Sequence, residues 1–139
     1  DAIQAAILTI RLKRLEAVTE LRRKKAAGYT QRLTAAGLAP EFVGPPEEVH
    51  GRHVYHQYVL RARQRDGLIE HLRAKQIGAG VYYPLPLHLQ KCFENLGYRK
   101  GALPLSEQAS AEVLALPIYP ELTDAQQDIV VAAIREFYR

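Results

Sequence analysis

The chain has 139 residues, of which 47% are hydrophobic and 24% are charged, a composition typical of one soluble globular domain. No apolar run approaches the ~20 residues that a membrane span needs, and Cys92 is the only cysteine, which excludes an internal disulfide and favours a reducing, cytoplasmic setting. The net charge of +4 is uneven, because residues 1–36 carry eight Lys/Arg against three acidic side chains and the remainder carries eleven against twelve.

Residues 2–36 predict one long helix or two joined helices, because apolar residues recur at spacings of three and four. Gly28 is expected to bend this helix and Gly37 to cap it. The sequence contains no methionine and opens directly inside the apolar pattern, which indicates a fragment of a longer protein. We therefore expect the early part of the helix to pack against something outside this chain.

The basic charge of the first helix is concentrated in the run Arg22-Arg23-Lys24-Lys25. Such a run can bind phosphates, which leaves open a non-catalytic module that holds nucleic acid or an acidic partner. A solvated helix face is the commoner explanation of so short a run. Nucleic acid is therefore not the expected partner.

The next predicted elements are a connection and a strand. Residues 37–51 contain three prolines, with a short strand expected at 41–43. Residues 52–61 are rich in aromatic and β-branched side chains and predict a strand. Alternation along that strand would point His53 and His56 to opposite faces, which argues against a zinc pair.

The second half of the chain predicts helices around one extended loop. Three helices are expected. The first begins at Asp66 and ends at Gly78, the second runs from 87 to 96 and closes at Gly97, and the third runs from 104 to about 115. A helix end or short strand follows at 114–117, and Thr123 is expected to cap the last helix. The pattern predicts an α+β fold with a long N-terminal helix and a small antiparallel sheet with helices packed on it.

The loop at 81–90 holds two adjacent tyrosines, two prolines and a histidine. Pro84 and Pro86 fix their own backbone angles and favour extended conformations at the residues before them. The loop is therefore expected to be stiff, and it either packs as a buried corner or presents polar groups for binding. No glycine-rich phosphate loop, serine-nucleophile motif or zinc-protease motif accompanies it, so a complete catalytic set is not expected in this chain.

Four segments in this order resemble the C-terminal part of the DegT/StrS-like sugar aminotransferases, which are pyridoxal-phosphate enzymes of fold type I. They are Asp-Ala-Ile-Gln-Ala-Ala at 1–6, His-Val-Tyr-His-Gln-Tyr-Val at 53–59, Tyr-Tyr-Pro-Leu-Pro-Leu-His-Leu-Gln at 82–90, and Leu-Ala-Leu-Pro-Ile-Tyr-Pro-Glu-Leu-Thr at 114–123. The resemblance implies that residues 1–139 form one domain, the C-terminal small domain of such an enzyme. A large domain that binds the cofactor would precede Asp1.

The family's loop at 82–90 faces the entrance of the active site, and this match implies the substrate contacts. Tyr83 would hydrogen-bond the sugar or its diphosphate, and His88 would donate to phosphate or ribose. Tyr82 and Gln90 are further candidates, although many members have histidine in place of Tyr82. The lysine that forms the Schiff base with pyridoxal phosphate would lie upstream, so no catalytic, cofactor-binding or metal-binding residue is expected in this chain.

The implied activity of the whole enzyme is transfer of an amino group from an amino acid, expected to be glutamate, to a keto group of a nucleotide-linked sugar. The implied assembly is a homodimer, to which this chain contributes substrate-binding and dimer surfaces. A family relative that lacks the lysine and serves as a dehydratase or sensor remains the alternative within the same fold.

Overall fold

The computed structural model describes residues 1–139 and contains five α-helices and one three-stranded antiparallel sheet. In chain order the elements are α1 (Ala2–Leu12), α2 (Leu15–Ala35), β1 (Val43–Gly44), β2 (Tyr58–Ala62), α3 (Arg65–Ala74), α4 (Pro104–Glu112), β3 (Val113–Leu116) and α5 (Asp124–Phe137). Two 3₁₀ turns, at Leu87–Leu89 and Lys91–Leu96, lie between α3 and α4. The predicted α+β architecture is confirmed. No helix is both long enough and apolar enough to cross a lipid bilayer.

The N-terminal segment forms two joined helices. The Asp1 side chain caps α1 by accepting a hydrogen bond from the backbone N–H of Ile3 at 2.9 Å. The break between α1 and α2 falls at residues 13–14 rather than at Gly28. At the end of α2, Gly37 adopts φ +71°, and Leu38 N donates to Leu33 O at 3.0 Å, which closes the helix as predicted.

Gly28 allows α2 to pack closely against α5 and does not bend α2, so the predicted bend at this residue is wrong. A Cβ at Gly28 would lie 2.9 Å from the Gln127 side-chain oxygen and 2.9 Å from an Arg32 guanidinium nitrogen. Gln127, on α5, is fully buried and donates to the backbone carbonyl of Lys25 at 2.8 Å. Glycine therefore leaves room for a polar side chain between α2 and α5.

The core lies between the sheet and helices α2, α3 and α5. Strand β2 pairs with both neighbours, with Tyr58 opposite Leu116 in β3 and Val43 of β1 opposite Ala62. Tyr58, Leu60 and Ala62 alternate into the interior, as expected for a strand with one buried face. Together with buried side chains of the helices they belong to a cluster of 17 residues.

The predicted strand at 52–61 is wrong over residues 52–57. Tyr55 has a positive φ of 47°, and its backbone N–H donates to Nδ1 of His53 at 2.9 Å, a local turn that is incompatible with pairing. His53 and His56 are exposed and lie outside any strand, so the argument from opposite strand faces does not apply. No group of three or more His, Cys, Asp or Glu side chains is arranged to hold a metal ion.

The remaining differences from the predictions concern element ends. Helix α3 ends at Ala74 rather than near Gly78, and the helix predicted at 87–96 consists of the two 3₁₀ turns, closed by Gly97 at φ +77°. Helix α4 stops at Glu112 because the chain enters β3 at the next residue. Thr123 caps α5 as predicted, in a reciprocal capping box with Gln126.

Helix α1 has no buried residue. Its apolar side chains are open to solvent, with exposed fractions of 72% for Ile3 and 65% for Leu12. This agrees with the expectation that the early part of the N-terminal helix has no partner within the chain.

Candidate functional site

The Tyr-Pro loop begins where the sheet ends. Gly80 forms a two-bond bridge with Ala115 of β3, in which Gly80 N donates to Ala115 O at 3.1 Å and Ala115 N donates to Gly80 O at 2.7 Å. A Cβ at Gly80 would lie only 3.0–3.1 Å from the ring and hydroxyl of Tyr82. The ring of Tyr82 therefore rests on the glycine, and the sheet fixes the start of the loop.

Substitution of Gly80 by alanine is expected to shift the Tyr82 ring away from the sheet edge, because the added methyl group would lie only 3.0–3.1 Å from ring atoms and the hydroxyl. Nuclear magnetic resonance of the ring protons of Tyr82 would detect this as a change of chemical shift. Gly78→Ala is the matched control, since a Cβ there meets no atom within 4 Å. Equal spectra for both variants would contradict the contact.

Tyr82 and Tyr83 present two phenol groups to solvent. Their rings are nearly perpendicular, with an interplanar angle of 82° and centroids 5.9 Å apart, and Tyr83 is 73% exposed. Neither hydroxyl has a hydrogen-bond partner within the chain, in contrast to the buried Tyr29, whose hydroxyl donates to the carbonyl of Pro117 at 3.0 Å. The loop is thus not a buried packing corner, and its phenol groups are free for an external ligand.

The two tyrosines line a cavity of about 220 Å³ between the loop and helix α4. Gln90 lies on the loop side, and Ser106 and Ser110 lie on the α4 side. The wall therefore combines flat aromatic surface with two hydroxyls and an amide, which can donate and accept hydrogen bonds. Residue types and spacing alone could have shown that the two serines share a face, since they are four residues apart on a helix. Neither serine was among the predicted substrate contacts.

A second cleft, of about 460 Å³, is also lined by Tyr82. It is lined by His56, Gln57, the segment 78–80 and the segment 115–118. Tyr82 is the one residue that lines both cavities.

His88 does not line the cavity of the two tyrosines but borders a separate one, of about 380 Å³, with Gln90 and Lys91. It is buried, and its Nε2 lies 3.0 Å from Oε1 of Glu107 on α4. The Glu107 carboxylate also accepts from the backbone N–H groups of Gly101, at 2.8 and 3.0 Å, and of Leu103, at 3.4 Å. The hydrogen bond to His88, helped by these backbone donors, holds the pKa of Glu107 below its usual value. The sequence reasoning missed Glu107.

No lysine lines either cavity of Tyr82. Lys25 pairs with Asp124 at 3.1 Å and Lys75 with Glu136 at 2.9 Å, while the other four lysines are exposed to solvent. An amine that forms a Schiff base must be shielded from water and aimed at its carbonyl partner. The lysines of this chain do not meet that requirement.

The basic run of α2 is largely used within the chain. One guanidinium nitrogen of Arg22 donates to the carbonyls of Tyr55, His56 and Ile118 at 3.1–3.2 Å. Arg23 donates to Glu48 at 2.8 Å and to the carbonyl of His53 at 2.6 Å, and Lys25 pairs with Asp124. The run therefore ties three distant segments to α2, and only Lys24 is without such a contact.

Replacing Arg22 by methionine is expected to lower the free energy of unfolding by about 2 kcal/mol, because three carbonyl groups lose a charged donor. Lys24→Met, at a neighbouring exposed position, is expected to change it by less than about 0.5 kcal/mol. Urea denaturation of both variants measures the difference. A similar effect of the two substitutions would show that Arg22 is an ordinary surface charge.

The comparisons with known proteins agree on one family. Residues 1–135 match the DegT/DnrJ/EryC1/StrS aminotransferase family. A protein of Geobacillus stearothermophilus named "Pleiotropic regulatory protein" is 51% identical over 140 residues, which cover 100% of this chain and 37% of the relative. The dTDP-3-amino-3,4,6-trideoxy-alpha-D-glucose transaminase of Micromonospora megalomicea is 36% identical over 98% of this chain and 37% of its own length.

Solved structures of this group share the fold described above. The structure of S. venezuelae DesV in complex with a ketimine intermediate has a TM-score of 0.88 and 34% identity, with 96% of this chain and 35% of DesV covered. An aminotransferase from Brucella abortus has a TM-score of 0.86 and 37% identity, with 99% of this chain and 35% of that protein covered. The chain thus spans little more than a third of the length of the relatives it matches. Since the family match extends over residues 1–135 of 139, the chain belongs to the DegT/DnrJ/EryC1/StrS aminotransferase family.

Proposed function

We propose that the whole protein of which this chain is a part is an aminotransferase that acts on nucleotide-linked sugars. It would move an amino group from an amino acid, glutamate in the simplest case, to a keto group of the sugar. The observation that carries this proposal is the cavity with free phenol groups between the Tyr82–Gln90 loop and α4, found in a chain of the aminotransferase family.

The cavity wall suits a sugar. A pyranose ring has apolar C–H faces and hydroxyl edges, and tyrosine offers a flat apolar ring together with a hydroxyl. Tyr83 would hydrogen-bond the sugar or its diphosphate, Tyr82 would pack against the ring, and the amide of Gln90 would accept or donate at the rim. Ser106 and Ser110 would hydrogen-bond from the opposite wall.

The proposed role of His88 differs from the sequence prediction. The sequence predicts a direct hydrogen bond from His88 to phosphate or ribose, whereas in the structure the ring is largely buried and its Nε2 contacts Glu107. His88 would instead hold the loop through this contact. Its proposed effect on the substrate is therefore indirect.

The family implies pyridoxal phosphate as cofactor, and the residues of this chain do not fit covalent attachment of that group. When bound, the cofactor supplies an electron sink for the reacting carbon. We place the attachment lysine in a preceding large domain, with residues 1–139 as the C-terminal small domain. This chain would bind and orient the sugar.

The exposed apolar residues of α1 support a partner outside the chain. We assign that partner to the preceding domain or to the second subunit of a homodimer, since burying this face would offset its unfavourable exposure to water. A reducing, cytoplasmic location accords with the single, exposed Cys92.

A regulatory role is the second candidate function, and it has one specific observation in its favour. The relative with 51% identity carries the name "Pleiotropic regulatory protein". A family relative that keeps the sugar pocket but lacks the lysine would bind a nucleotide sugar without transferring an amino group. The two candidates share the pocket and differ in the chemistry of the preceding domain.

Amino transfer by the whole protein separates the two candidates. The purified protein, loaded with pyridoxal phosphate, would be incubated with glutamate and a panel of dTDP- and UDP-linked keto sugars, and the aminated sugar would be detected by mass spectrometry. Formation of an amino sugar supports the aminotransferase. Binding of nucleotide sugars without any amination would favour the regulatory relative, and absence of binding would contradict both.

A further inference from the structure

The carboxylate of Glu107 joins three separate segments of the chain. Glu107 lies in the first turn of α4, and its side chain is 16% exposed. It accepts from Nε2 of His88 in the first 3₁₀ turn and from the backbone N–H groups of Gly101 and Leu103 in the loop before α4. A carboxylate is acceptor-only, so it suits a place where three donors converge.

The part of the chain around the pocket has little else to hold it. Between Val81 and Val113, His88 is the only buried residue. The hydrophobic core cluster contains no residue from this stretch, since it passes from Leu72 directly to Leu114. Hydrophobic burial therefore does not fix the loop against α4, and polar contacts must do so.

Glu107 is the side chain that makes such a contact between the loop and α4, beside the pocket. The side-chain hydrogen bond of Cys92 reaches only Gln90, two residues away, and the two 3₁₀ turns otherwise bond within themselves. The bond from His88 to Glu107 spans 19 residues and connects the loop wall to the helix wall. The ring of Tyr98 packs edge-on against that of His88, with centroids 6.2 Å apart.

We propose that Glu107 is a positioning residue of the substrate pocket, which sets the spacing between the Tyr82–Gln90 loop and the serines of α4 through His88. The proposal rests on the proposed function, because it assumes that this pocket takes the nucleotide sugar. Glu107 does not itself line the pocket, whereas its helical neighbour Ser106 does. A pocket whose walls are already in place binds its ligand more tightly, because less ordering is needed on binding.

The test compares Glu107→Gln with Glu112→Gln in the whole protein. Glutamine has nearly the same shape, but it offers one acceptor oxygen and presents an NH₂ group to the remaining donors. Glu112 is the matched control because it lies on the same helix and contacts Arg61 and Gln108, away from the loop. Hydrogen exchange of peptides covering residues 82–103 reports the order of the loop, and calorimetric titration with dTDP-glucose and UDP-glucose as probes reports affinity.

For Glu107→Gln we expect faster exchange over residues 87–103, a Kd about tenfold higher for the nucleotide sugar that the wild type binds, and an unchanged Tm. A merely structural role would lower the Tm and leave the Kd of the folded protein unchanged. His88→Asn is expected to raise the Kd similarly, and the double variant is expected to raise it no further, since both side chains act through one contact. Glu112→Gln is expected to match the wild type in every measurement.

The outcomes separate the positioning role from the proposed function. If the wild type binds neither probe while Glu107→Gln still speeds hydrogen exchange in the loop, sugar binding is overturned and the ordering role of Glu107 is supported. If the wild type binds a probe and Glu107→Gln changes neither exchange nor Kd, the positioning role is overturned and sugar binding stands. Faster exchange with an unchanged Kd also overturns the positioning role, because the affinity of the pocket would then not depend on the contact between His88 and Glu107.

Discussion

Substitution of Tyr29 by alanine is expected to lower the free energy of unfolding by about 4 kcal/mol, the largest effect on stability that we predict. Tyr29 is fully buried in α2, and its ring lies 5.2 Å from the ring of Tyr58 in β2. Alanine would leave a cavity at the point where α2 meets the sheet. It would also leave the carbonyl of Pro117 without its donor.

Tyr29→Phe separates the two contributions. It keeps the ring and removes only the hydroxyl, so we expect a loss of about 1 kcal/mol. Tyr98→Ala is the control, because Tyr98 is 51% exposed and makes no core contact. Urea denaturation measures all three variants, and a loss for Tyr29→Ala no larger than for Tyr98→Ala would contradict the packing described here.

Substitution of Tyr83 by alanine is expected to weaken binding of a nucleotide sugar to the whole protein about 30-fold, which corresponds to ~2 kcal/mol for truncation of an aromatic anchor. Tyr83 is mostly exposed in this chain and contributes nothing to the core cluster, so the loss would fall on binding and not on stability. Tyr83→Phe retains the ring and removes the hydroxyl, and we expect a loss of about fivefold.

Tyr119→Phe is the matched control for the removal of a phenol hydroxyl. The Tyr119 hydroxyl lies 3.4 Å from the Gln126 side chain, and neither cavity of Tyr82 includes it. Titration calorimetry with dTDP-glucose and UDP-glucose gives the affinities. An affinity of Tyr83→Ala equal to that of the wild type would show that the ligand does not reach the loop.

The elements that hydrophobic periodicity and capping residues define could be predicted from the sequence. Helix α5 is an example, because Thr123 caps it as expected and Val130, Ala133 and Ile134 form a buried stripe at helical spacing, although Ile129 beside them is 61% exposed. The loop at 81–90 was likewise recognisable, because prolines restrict the backbone locally. These are signals within a few residues of one another.

The features that depend on distant partners could not be predicted. The aromatic and β-branched residues at 52–57 favour a strand, but Arg22 and Arg23 bind the carbonyls of His53, Tyr55 and His56 from another element. Gly28 was interpreted as a bend, although its reason is the side chain of Gln127 on α5. Local propensity cannot report such contacts.

The residues of the candidate site likewise divide into those defined by local sequence and those that depend on distant partners. Tyr82, Tyr83 and Gln90, which were predicted as substrate contacts, line one cavity, and the loop that carries them is defined by its own sequence. His88 was predicted to contact the substrate because the loop that carries it resembles the substrate-facing loop of the family. Its burial follows from Glu107, which is 19 residues further along the chain, and from the ring of Tyr98.

The central claim is that the Tyr82–Gln90 loop forms a wall of the sugar-binding site. A crystal structure of the whole protein with a bound dTDP- or UDP-linked sugar tests it most directly. We expect the sugar or diphosphate to lie within hydrogen-bond distance, about 2.5–3.2 Å, of the Tyr83 hydroxyl, with its ring in the cavity between the loop and α4. A sugar nucleotide bound elsewhere, with the hydroxyls of Tyr82 and Tyr83 still in solvent, would contradict the claim.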